Sequence, residues 1–105
     1  MKLSLAGFIL LWPIMAVRAA EPMGHNYKPE GGYVPDAKTA TKIALAVWEP
    51  IYGASHIAAQ KPYRARLTNG VWIVQGTLSS GRVGGVALAE ISKDDAKVLR
   101  VSHGK

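Results

Sequence analysis

The chain reads as an α+β domain in which a kinked helix and a second, short helix pack on a four-stranded antiparallel sheet. Three features predict this. Apolar residues at Ala40, Ile43, Ala44, Val47, Trp48 and Ile51 fall on one helical face. After Pro62 the period changes to two, that of a half-buried strand. Asn69-Gly70 then separates two alternating runs, a strong hairpin signal because both turn positions need positive φ.

Taken from the N-terminus, Met1-Lys2 gives a short positive start and residues 3–17 an apolar run. Val17-Arg18-Ala19 places aliphatic and small residues where a signal peptidase reads them, so cleavage is expected after Ala19. The run is too short to span a bilayer, and Pro13 interrupts it. Residues 1–19 are therefore an expected export signal that leaves no stable membrane anchor, and the expected location is the periplasm. Residues 20–35 hold Pro22, Gly24, Pro29, Gly31, Gly32 and Pro35 and follow no period, which predicts a flexible arm pinned by Tyr27 and Tyr33. The domain proper is expected over 36–105.

Asp36 suits a helix N-cap, and Pro50 should kink or end the helix near Glu49, with Gly53 as its stop. Ser55 is expected to cap a short helix over 56–60. The first strand should run over 63–68 and the second over 71–77. A two-residue turn pairs Thr68 with Val71, Leu67 with Trp72, Arg66 with Ile73, Ala65 with Val74 and Arg64 with Gln75. Tyr63, Ala65, Leu67, Trp72 and Val74 then face the core. Arg64, Arg66, Thr68, Val71, Ile73 and Gln75 face outward. Residues 78–85 form a glycine-rich loop, and strands follow over 86–92 and 97–102. A three-residue turn at Asp94-Asp95-Ala96 would pair Ile91 with Leu99, Glu90 with Arg100 and Ala89 with Val101. It would also put Ala96 at positive φ, at a cost of about 1 kcal/mol.

Size and composition narrow the function. Cleavage leaves 86 of the 105 residues, room for one small core. There is no cysteine, so neither a disulfide nor a thiolate metal site can form. Two of the 13 basic residues leave with the leader, and the remaining 11 outnumber the seven acids for a net charge of +4. The basic residues form no run, which argues against nucleic acid. Catalytic signatures are weak. His25, His56 and His103 would all have to converge to hold a zinc ion, and no pair has a metal-ligand spacing. Ser79 and Ser80 do not sit in a nucleophile elbow. Gly81, Gly84 and Gly85 join two strands, not a strand to a helix, so the phosphate-loop and dinucleotide signatures are absent. No catalytic residue, metal or cofactor is expected. Large aliphatics beside arginines on the outer sheet face suit a protein partner.

Eight short segments carry a resemblance. They are Gly32-Tyr33-Val34-Pro35-Asp36, Ile51-Tyr52-Gly53, Gln60-Lys61-Pro62-Tyr63, Val71-Trp72-Ile73-Val74, Gln75-Gly76-Thr77-Leu78, Gly84-Gly85-Val86-Ala87, Ala89-Glu90-Ile91 and Val101-Ser102-His103-Gly104. In this order the chain resembles the small bacterial immunity proteins with a nuclear-transport-factor-2-like fold, the YbbC/YhhH group. Asp95-Ala96 departs from the Asp-Gly expected there and bears on the turn alone. The resemblance implies a cone-shaped, cystatin-like α+β fold and an antidote role in bacterial competition. It implies no catalytic residue.

With the export signal, these features predict a periplasmic immunity protein that occludes a cognate toxin. The expected toxin is a peptidoglycan-targeting effector of type VI secretion. The expected contact residues are Arg64, Arg66, Ile73 and Gln75 on the sheet and Ser79, Ser80 and Arg82 on the loop, with Arg82 at its tip. Two other readings stay open: a small-molecule carrier or enzyme using the interior of the cone, and a general periplasmic hydrolase inhibitor. Homodimerisation through an exposed strand is also left open.

Overall fold

A computed structural model describes residues 25–104. The predicted leader and its cleavage site at Ala19 lie outside them. Two helices, α1 (Ala37–Tyr52) and α2 (Ala54–Ala58), precede four strands: β1 (Arg64–Thr68), β2 (Val71–Gln75), β3 (Ala87–Ser92) and β4 (Val98–His103). The strands form one antiparallel meander in the order β1-β2-β3-β4, and α1 packs across β1, β2 and β3. The α+β prediction holds. No helix among the described residues is long and apolar enough to cross a membrane.

Asp36 caps α1 as expected, its carboxylate accepting from the Thr39 N–H at 2.8 Å. The helix does not end at Glu49 but continues through Pro50 to Tyr52. Pro50 lies in the last turn, where a missing N–H removes a single bond from the ladder. Gly53 stops the helix at φ 97°, donating to the Glu49 carbonyl at 2.9 Å. The second helix begins at Ala54, two residues before the expected start. Ser55 is thus inside it, and Gly53 stands at the N-cap position without a side-chain bond.

The hairpin register is as predicted in all five pairs, with Asn69 at φ 50° and Gly70 at φ 77°. Trp48, Ile57, Val74, Ala89 and Ile91 are fully buried. Both core indoles are satisfied: Trp48 Nε1 donates to the Leu88 carbonyl at 3.3 Å and Trp72 Nε1 to the Val34 carbonyl at 2.8 Å. Trp48 packs tilted against Tyr63, whose hydroxyl donates to the Ile57 carbonyl. Burial pushes the Tyr63 phenol above its ordinary pKa, with a smaller push from Glu49. Leu67 departs from its expected core place and is 45% exposed, because it lies next to the end of an edge strand with a neighbour on one side only. The arm is anchored by Val34, fully buried, while Tyr27 and Tyr33 are exposed. The Tyr33 and Val34 N–H groups donate to the Asp94 and Lys93 carbonyls.

The β3–β4 register needs a correction. Glu90 pairs with Arg100 and Ala89 with Val101 as expected, but Ile91 pairs with Val98, not Leu99. The Ser92 N–H donates to the Lys97 carbonyl at 2.8 Å and closes the turn one residue tighter than the deeper pairs require. A bulge absorbs the difference and leaves Leu99 as the extra residue, 47% exposed. Ala96 does take positive φ, at 66°.

Candidate functional site

The 76–86 connection is tied down at its base and turned at its end. The Thr77 N–H donates to the Gln60 carbonyl at 2.7 Å, and the Thr77 hydroxyl to the Pro62 carbonyl at 2.6 Å. The Ser79 hydroxyl donates to the Ala59 carbonyl at 3.3 Å. The Arg82 N–H then returns to the Ser79 carbonyl at 3.1 Å, with Gly81 at φ 80° in the third turn position. Ser80 and Gly81 therefore form the tip, and Arg82 follows it. Val83, 94% exposed, stands beyond.

Against this loop lies a polar cluster. Gln60 is nearly buried, and its amide orientation is set because Oε1 accepts from the Ala87 N–H at 2.9 Å. Its Nε2 is therefore aimed at His103 Nε2, at 3.1 Å, and at His56 Nε2, at 3.3 Å. The two histidine Nε2 atoms are 3.0 Å apart. Their ring centroids are 5.1 Å apart, farther than the nitrogens by about two ring radii. The two rings are inclined to each other by 29°. His103 Nδ1 lies 2.8 Å from the Gly104 carbonyl, which can only accept, so Nδ1 carries the hydrogen. Tyr52 packs tilted against His103, with ring centroids 5.0 Å apart.

Glycines make this cluster possible. A side chain on Gly76 would collide with Gln60, and one on Gly85 with the backbone of Gly104. Gln60, Gly76, Gly85, Ala87, His103 and Gly104 all belong to segments that carry the family resemblance. Residues far apart in the chain meet here in a pocket of about 180 Å³, lined also by Ser79 and Arg82.

The predicted contact residues divide into two groups. Arg64, Arg66, Ile73 and Gln75 line a shallow depression on the outer sheet face. Ser79 and Arg82 line the histidine pocket instead, and Ser80 lies at the exposed tip without lining either. A third depression, running from Arg64 and Gln75 to Leu78, Gly84 and Gly85, connects the two groups. Among the described histidines, His56 and His103 come together and His25 does not join them. No three metal-ligating side chains cluster among the described residues. Sequence reasoning missed the Gln60–His56–His103 cluster. The available signal was Gly76 at the end of a strand pattern, which marks a close approach.

No solved structure matches the chain. The chain is similar to the uncharacterized protein YhhH of Escherichia coli (strain K12), 33% identical over 86 residues that cover 76% of this chain and 68% of that protein. The family model described as NTF2 fold immunity protein matches residues 39–105, which hold almost all of α1, the whole sheet and the histidine pocket. The chain therefore belongs to the family of NTF2-fold immunity proteins.

Proposed function

We propose that this protein neutralises a cognate antibacterial toxin in the periplasm by covering its active site. Membership of the immunity family over 39–105 is the observation that carries this reading. An antidote works where its toxin acts, and the leader-like residues 1–19 suggest export. A toxin met in the periplasm is most simply one that cuts peptidoglycan, delivered by a type VI system. Such enzymes hold an extended polymer in a groove. The 78–85 loop, based on α2 and the first hairpin, has the size and exposure to enter one. Arg64, Arg66, Ile73 and Gln75 then extend the contact along the sheet. The mode of action is stoichiometric binding, without turnover of a substrate.

The test is protection. The full chain is expressed in cells that also export the toxin encoded beside its gene. Growth is expected with the full chain and lysis with a chain lacking residues 1–19. Protection by the leaderless chain would move the action to the cytoplasm, and lysis in both cases would refute the immunity role for that toxin.

A further inference from the structure

The pocket between α2 and the 78–85 loop holds an arginine, and its two histidines touch through their Nε2 atoms. Arg82, His56 and His103 line it, and no described carboxylate does. The ion pairs among the described residues, Lys28 with Asp94 and Arg100 with Glu90, do not involve Arg82. Gly84 and Gly85 line the same recess, and their N–H groups donate to no described acceptor. A guanidinium and unpartnered amide donors lining one recess attract an anion, and a planar carboxylate above all.

The polar side of the recess is already ordered: His103 Nδ1 faces the Gly104 carbonyl, and the Gln60 amide nitrogen, a donor, is aimed at both histidine Nε2 atoms.

We propose that this pocket receives an acidic side chain of the toxin. The identity of the partner rests on the immunity reading; the chemistry of the pocket does not.

Isotope-labelled protein titrated by NMR tests this, with N-acetyl-glutamate amide as probe and N-acetyl-glutamine amide as its neutral twin. Saturable shifts are expected at His56, Arg82, Gly85 and His103, and they should be lost in Arg82→Ala in a chain that still folds. An equal response to the neutral amide, shifts confined to the outer sheet face, or no saturation overturns the carboxylate site. The cell-protection assay is read separately. Carboxylate binding without protection defeats the immunity reading, and protection with an unresponsive pocket defeats this one.

Discussion

Gly85 and Gly104 lie backbone against backbone, and a side chain on Gly85 would occupy the place of the Gly104 carbonyl group. This contact seals the end of β4 to the glycine-rich loop and holds His103 against Gln60. Backbone cannot step aside as a flexible side chain can. Gly85→Ala is therefore expected to destabilise the fold by about 1–3 kcal/mol, in the range of overpacked cores. Urea unfolding of the two proteins measures the difference. Gly81, at the loop tip with open space around it, is the contrast, since only its positive φ resists a substitution.

Gln60 is the one buried polar side chain among the described residues, and both ends of its amide are used. Replacing it with leucine keeps the bulk but leaves the buried Ala87 N–H without an acceptor. That penalty is about 1–3 kcal/mol. Gln60→Leu should lose about that much stability and show faster hydrogen exchange at Ala87. Exchange at Ala87 unchanged from the parent would mean that water replaces the lost acceptor.

Local chemistry made much of this fold legible. Asp36 capped its helix and Asn69-Gly70 fixed five strand pairs, because each acts within a few residues. The β3–β4 bulge was not legible, since it arises from two registers that disagree. The turn sets Ser92 against Lys97, while the deeper sheet sets Glu90 against Arg100. The histidine pair was hidden for a related reason. His56 and His103 are 47 positions apart, and no periodicity links a short helix to the last strand. Gly76 and Gly85 hinted at close approaches without naming what approached.

Asp36 ties stability to acid. Thr39, through its side chain first and its backbone N–H second, holds the Asp36 carboxyl below its ordinary pKa. A carboxylate lowered in the folded state binds a proton more readily when unfolded, so its contribution rises with pH. That contribution is complete above the unfolded value and is lost as pH falls through the lower folded value. Asp36→Ala should lower the melting temperature at neutral pH, and the two melting curves should merge in acid. A gap that persists below the carboxylate range would assign the loss to helix propensity and not to the charged cap.

The loop and the sheet make separable demands on the toxin. Arg82 stands at the mouth of the histidine pocket, whereas Ile73 sits amid the outer-face arginines. If the loop enters the toxin's groove, Arg82→Glu should weaken binding more than about tenfold, a loss typical of a central contact. Ile73→Asp should then weaken it less. Surface plasmon resonance with the neighbouring toxin ranks the two. The reverse order would place the centre of the interface on the sheet.

Ala96 holds a conformation that glycine takes more easily. Its φ of 66° is required by the turn that returns its N–H to the Ser92 carbonyl at 2.9 Å. The Cβ makes this region unfavourable for an L-residue by about 1–2 kcal/mol. Two effects oppose the relief that a glycine would bring. Glycine frees the unfolded chain, and the Ala96 methyl packs at the edge of the core. The strain is the larger, because the methyl is only partly buried. Ala96→Gly should therefore raise stability by about 0.5–1 kcal/mol, read as a higher urea midpoint at unchanged slope. A lower midpoint would show that the methyl's packing outweighs the backbone strain at this turn.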